Sequence, residues 1–305
     1  MDNSPIAPPA RIGFIGIGNM GLPMARRLVE GGYDVIGYDV TREAADKLAA
    51  VGGRAAADLK TAVGEAAIVI TMLPNSKIVR QVIESARPHL PKDAIIVDMS
   101  TSEPLETQRL GKELAAEGRI LVDAPVSGGV RRAIDGSLAI MAGGDAAAID
   151  VVEPALKRMG TSIFRTGPLG SGHAMKALNN YLSGVGLVAA VEAVEIGRRF
   201  GLDPGLMVDV LNASTGRNNS TEVKMKQQVL SQAYASGFTN ALMAKDIRIA
   251  SDLAQRLGVT APLIDEVAAL WDAVAQEAGS ADHTAVGRYL GSVGQDRKPA
   301  RKKAS

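Results

Sequence analysis

The sequence predicts an α/β domain with a mostly parallel sheet, followed by an all-helical domain. Three observations carry this expectation. Over residues 11–166, strand-length apolar runs alternate with amphipathic segments. Such runs stop after about Gly170, where long helical patterns take over. A glycine-rich turn, Gly16-Ile17-Gly18-Asn19-Met20-Gly21, joins the first strand to the first helix. Strands alternating with helices read as βαβ units, whose sheet is covered on both faces.

The elements follow in chain order. Arg11–Ile15 reads as a strand and Met20–Gly31 as a helix. Further strand runs are Val35–Tyr38, Ile68–Leu73, Ile95–Val97, Ile120–Val122 and Leu138–Met141, each flanked by Gly, Asp or Pro. Between them lie helical patterns such as Glu43–Val51 and Glu103–Glu117. The second domain reads as helices over His173–Phe200, Pro204–Asn212, Leu242–Leu257 and Pro262–Ala278. Gly201, Pro204, Gly258 and Pro262 punctuate them. We therefore expect a dinucleotide-binding domain over residues 1–169, a helical domain over 170–294 and a basic, solvated tail over 295–305.

Composition narrows the function classes. The chain has 305 residues, 46% of them hydrophobic, enough for two cores. Its formal net charge of +1 supplies no global field for nucleic acid or an acidic membrane. The tail holds five Lys/Arg and one Asp but no aromatic residue to stack a base. With no cysteine there are no disulfides or thiolate metal sites, and three scattered histidines make no metal constellation. The N-terminus lacks the pattern of a signal peptide, and no stretch approaches the roughly 20 apolar residues of a membrane helix. The expectation is a cytoplasmic protein with no metal, nucleic-acid or membrane partner.

The glycine turn carries the first chemistry. Gly16 permits the tight turn, Gly18 lets a pyrophosphate approach the backbone, and Gly21 lets helix and strand pack closely. The helix N-terminus adds free N–H groups and the positive end of a dipole. Asn19 and Met20 complete the turn. Pro23 falls in the first helical turn, where its missing N–H costs no internal bond. Asp39 ends the second strand run, where a carboxylate is expected to bond the ribose hydroxyls of a dinucleotide. It would repel a 2′-phosphate, so NAD is expected over NADP, with Arg42 the nearest cation. The alternative for Asp39 is an N-cap of the following helix.

Three later segments stand out: Asp123-Ala124-Pro125-Val126-Ser127-Gly128-Gly129, Gly172-His173-Ala174-Met175-Lys176-Ala177-Leu178-Asn179-Asn180, and Lys245-Asp246. With Gly13–Gly21, they resemble the β-hydroxyacid dehydrogenase family over about residues 11–290. The resemblance implies a Rossmann-type N-terminal domain, a helical C-terminal domain, and homodimers or homotetramers built through the helical domain. It also implies hydride exchange between NAD(P) and a small 3-hydroxy acid, as in 3-hydroxyisobutyrate dehydrogenases.

The resemblance assigns roles by position. Lys176 takes the place of the family's catalytic lysine. Lys245 is implied to contact bound cofactor or substrate, with Asp246 orienting it. Leu73, Pro74 and Thr101 match the remaining cofactor contacts, Thr101 alternatively serving only as a helix cap. Ser127, Gly128 and Gly129 offer a hydroxyl and backbone N–H groups suited to a carboxylate. Asn180 lies one helical turn from Lys176, on its face. A free lysine titrates near ~10.4, so as general base Lys176 must be brought to roughly 7–8. His173 stands evenly between a packed residue and a site neighbour, and substrate selection is expected near Arg131, Phe238 and residues 214–219.

Competing readings remain at this stage. They are oxidative decarboxylation of a phosphorylated sugar acid, imine reduction, reduction of succinic semialdehyde or glyoxylate-type aldehydes, and an inactive NAD-binding recognition module.

Overall fold

A computed structural model describes residues 4–290. The expected tail, 295–305, lies outside the described residues. The chain forms two compact units, Met1–Ala177 and Leu178 onward.

Among the described residues, the first unit holds nine strands: β1 (Arg11–Ile15), β2 (Asp34–Tyr38), β3 (Arg54–Ala55), β4 (Ile68–Thr71), β5 (Ile95–Asp98), β6 (Ile120–Asp123), β7 (Val126–Ser127), β8 (Leu138–Gly143) and β9 (Gly160–Gly167). Seven helices connect them: α1 (Gly21–Glu30), α2 (Arg42–Ala49), α3 (Leu59–Val63), α4 (Ser76–Ala86), α5 (Pro104–Ala115), α6 (Gly129–Asp135) and α7 (Ala146–Met159). The strand order is β3-β2-β1-β4-β5-β6-β8-β7, with β9 on β8. Pairing is parallel from β3 to β6 and between β8 and β9; β6–β8 and β7–β8 are antiparallel.

Strand periodicity explains both cores. Ile12, Phe14, Ile68, Ile70, Ile95 and Val97 point to one face, where Met24, Leu28, Leu48, Val152 and Leu156 cover them. Ile15, Val69 and Ile96 point to the other, under Val63, Val79, Ile83, Leu110 and Leu114. Burial on both faces is why these strands read as continuous apolar runs. Chain order reverses between β1 and β4, so the carboxyl ends of these two strands form the topological switch point, where open α/β sheets bind ligands.

Three strands escaped the sequence reading. β3 and β7 have two residues each. β9 pairs only with β8 and exposes Ser162, Phe164 and Arg165, so it lacks an apolar run.

Helix α8 (Ser171–Phe200) begins in the first unit and continues into the second. There it is joined by α9 (Pro204–Asn212), α10 (Asn219–Val223), a π-helical turn (Met225–Leu230), α11 (Asn240–Arg256) and α12 (Pro262–Ala278). Leu187, Val191 and Val194 of α8 pack with Met243, Ile247, Val267 and Trp271. One correction follows. By length and composition α8 is apolar enough to cross a bilayer, which the sequence reading passed over. Part of that apolar surface is spent in the core of the second unit.

Candidate active site

In the first unit, the glycine turn sits on the switch point. Gly16 has φ +96°, and a Cβ there would lie 2.2 Å from the Met72 carbonyl oxygen, so neighbouring backbone demands glycine. A Cβ on Gly21 would lie 1.8 Å from the Gly16 carbonyl oxygen. Gly18 differs: it is exposed, and nothing stands within 4 Å of where its Cβ would be. The protein's own packing does not require glycine there, whereas a pyrophosphate on the backbone would. The turn therefore fits a dinucleotide, whose phosphates would lie over Gly18 at the start of α1.

Asp39 braces this turn. Its Oδ2 accepts from the Ile17 N–H and its Oδ1 from the Thr41 N–H, both at 2.8 Å. It is not the cap of α2, because Thr41 holds that position. Arg42 pairs with Asp46 one turn along α2.

Asp98, 1% exposed, organises the carboxyl ends of β4 and β5. It accepts from Thr71 Oγ1, Ser100 N–H and Ser102 Oγ at 2.8–3.0 Å. Ser100 Oγ in turn accepts the Leu73 N–H, which ends β4 two residues earlier than its apolar run suggests. Pro74 is exposed and Thr101 half-buried at this edge. Thr101 is not a helix cap, since Glu103 holds that position for α5.

The start of α8 is pinned to β6. Asp123 Oδ1 accepts from the Gly170 N–H at 2.7 Å, and Oδ2 from the His173 N–H at 2.8 Å. A carboxylate at a helix N-terminus is favoured by the dipole. A Cβ on Gly172 would strike the Met141 carbonyl oxygen and Asp123. His173 is fully buried; its Nδ1 bonds Thr107 Oγ1 at 2.8 Å, and its ring lies 3.6–3.7 Å from Asp98 and Asp123. It is a packed residue that ties α8 to α5 and to both strand ends. Lys176 follows one turn later, 8% exposed. Ser127 is half-buried at the end of β7; Gly128 and Gly129 are exposed, at φ +134° and +66°. The conformation of these consecutive glycines suits N–H groups to an anion.

In the second unit, Asn180 is 7% exposed and held at both ends of its amide. Its Nδ2 donates to Asp246 Oδ2 at 2.6 Å, and its Oδ1 accepts from Asn179 Nδ2 at 3.1 Å. Asp246, 2% exposed, also pairs with Lys245 at 2.7 Å. Farther along, Lys224 Nζ donates to Ser183 Oγ at 3.0 Å. Burial pushes Lys224 down to about 8, against the pull of Asp282. Burial likewise pushes His283 down to about 4, helped by Lys224.

Known proteins resemble the chain along both units. The family described as the NAD-binding domain of 6-phosphogluconate dehydrogenase matches residues 11–167. That described as NAD-binding of NADP-dependent 3-hydroxyisobutyrate dehydrogenase matches 170–290. An NAD-dependent L-serine dehydrogenase of Pseudomonas aeruginosa is 34% identical over 262 residues, covering 83% of this chain and 88% of its own. The 2-(hydroxymethyl)glutarate dehydrogenase of Eubacterium barkeri is also 34% identical, covering 83% and 85%. A solved 3-hydroxyisobutyrate dehydrogenase of Mycobacterium tuberculosis, with L-serine, superposes at a TM-score of 0.87 with 32% identity, over 92% of this chain and 99% of that one.

The chain belongs to the β-hydroxyacid dehydrogenase family.

As a β-hydroxyacid dehydrogenase it is an NAD(P)-dependent oxidoreductase, and the inactive-module reading is not favoured. Sequence reasoning found the local motifs of this β-hydroxyacid dehydrogenase but missed Asp98, Thr107, Ser100 and Lys224. Asp98 and Ser100 follow a strand run, which was a usable signal. Thr107 and Lys224 carried none, since each looks like an ordinary helix-surface residue.

Proposed function

We propose that this enzyme oxidises a small 3-hydroxy acid to its semialdehyde, with NAD as acceptor and Lys176 as general base. The observation that carries the reading is the pair on α8: a buried lysine followed one turn later by a carboxamide whose orientation Asp246 fixes. The neutral Lys176 amine takes the hydroxyl proton in oxidation and returns it in reduction. Bound at the glycine turn, NAD would supply the acceptor for the hydride of the carbinol carbon. Asn180 has one amide proton left for the substrate after bonding Asp246. Ser127, Gly128 and Gly129 receive the substrate carboxylate, and Lys245 contacts cofactor or substrate. Gly16, Gly18, Asn19, Met20, Gly21, Asp39, Leu73, Pro74 and Thr101 bind the cofactor.

The named relatives support a substrate core. L-Serine, 3-hydroxyisobutyrate and 2-(hydroxymethyl)glutarate all contain a hydroxymethyl group on the carbon bearing the carboxylate. We read that core as the substrate of this chain too. NAD is preferred because Asp39 faces the turn as a carboxylate and Arg42 is engaged by Asp46. A homo-oligomer built on the second unit is supported by exposed Leu182, Ile196 and Phe200 on α8.

The test is NAD reduction with L-serine, 3-hydroxyisobutyrate, 3-hydroxypropionate, glycerate and 4-hydroxybutyrate. Lys176→Ala should lower kcat by about 10²–10⁴ while NADH still binds. Wild-type turnover in that variant would remove Lys176 from the mechanism. Tight NAD binding with no acid oxidised would overturn the activity.

A further inference from the structure

Among the described residues, Lys224 is a half-buried cation with no paired anion. It follows α10, whose start is fixed by a capping box in which Asn218 accepts from the Ser220 and Thr221 N–H groups. Its carbonyl accepts from both the Gln228 and Val229 N–H groups, opening the π-helical turn. Such turns recur at functional positions. The ammonium has three protons, and Ser183 Oγ takes one of them. Among the described residues, no carboxylate stands within ion-pair distance of it. Asp282, the acid that acts on it, is committed elsewhere: it accepts from Ser236 Oγ, the Gly237 N–H, and the Thr284 N–H and Oγ1. His283 lies beside it, held neutral by burial, and supplies no counterion. A half-buried ammonium held by a single hydroxyl is only partly compensated, and an anionic ligand would complete the pair.

Its place on the fold says which ligand. Ser183 follows Lys176 by seven residues on α8, two turns on the same face and about 10 Å along the axis. Asn180 lies between them. We propose that Lys224 is a specificity-determining residue whose ammonium, seated on Ser183, binds a second anionic group of the substrate. The enzyme then selects hydroxy acids with two acidic groups over those with one. This inference rests on the hydroxy-acid dehydrogenase reading above.

The experiment uses a matched series in which the methyl group of 3-hydroxyisobutyrate is replaced by carboxymethyl or carboxyethyl. Wild type should favour a dianion by at least about tenfold in kcat/KM, an advantage of about 1.4 kcal/mol. Lys224→Met should erase that preference, chiefly through KM, and Lys224→Arg should keep most of it. A merely structural lysine would move both substrate classes together. A preference that is absent in wild type, or unchanged in Lys224→Met, overturns the proposal. Should no acid be oxidised, the activity itself falls, and calorimetry with glutarate in the presence of NADH decides the rest. Binding by wild type but not by Lys224→Met upholds the anion site; equal or absent binding refutes it.

Discussion

Gly16 and Gly18 look alike in the sequence and do different work. Gly16→Ala meets the Met72 carbonyl and a left-handed φ, so it should cost about 2–4 kcal/mol of stability in urea unfolding. In Gly18→Ala the added Cβ has no protein atom within 4 Å, so stability should stay within about 0.5 kcal/mol. Its NAD affinity should nevertheless fall by more than about tenfold, and an unchanged Kd would show that the turn does not hold the pyrophosphate. Asp246→Ala frees the Asn180 amide and strands its donor. We expect kcat/KM to fall, and steady-state kinetics will show it. His283 predicts a pH effect. Its folded value of about 4 lies below the ordinary 6.5, so between them the unfolded chain binds more protons. Its stabilising contribution is complete above about 6.5 and is lost as pH falls toward 4, about 3 kcal/mol in all. In a comparison of unfolding free energies over that window, His283→Phe should flatten the slope.

At the scale of elements, the leverage lies at the start of α8. Asp123 gathers two N–H groups there, so Asp123→Ala should cost roughly 2–4 kcal/mol and lower kcat by displacing Lys176. A variant with wild-type stability would contradict the pinning. The main elements were legible because doubly buried strands are apolar throughout and α8 is long. β9 was not, since an edge strand is exposed along one side and its residues Ser162, Phe164 and Arg165 match no apolar run. The π-helical turn after Lys224 arises from one carbonyl accepting two N–H groups, and its sequence Met225–Leu230 carries no mark of that.

Across the whole molecule, legibility tracks distance along the chain. The glycine turn, Ser127-Gly128-Gly129 and the α8 motif are each local, and each could be read from spacing. The bonds that fix the turn and the α8 motif span 22 residues from Ile17 to Asp39, 50 from Asp123 to His173, and 66 from Asn180 to Asp246. Only the folded chain brings such partners together. Leu182, Ile196 and Phe200, at 66%, 70% and 83% exposure, are large apolar side chains that a monomer would leave in water. Light scattering after size exclusion should give a dimer or tetramer, and Leu182→Glu with Phe200→Glu should shift it toward monomer. A wild-type monomer would refute this.

The Asp39 carboxylate has a consequence for anyone changing the cofactor. It is the strut under Ile17 and, on the proposed NAD preference, would also be the gatekeeper against a 2′-phosphate. A swap to Ala removes both, so relaxed selectivity would arrive together with a loosened turn and poorer affinity for either nucleotide. A workable redesign must first install a neutral acceptor at this position, Asn or Ser, to keep the strut. Only then does a cation placed near Arg42 have a fixed phosphate to meet. Drift toward NADP thus has to pass through an ordered pair of steps, not one.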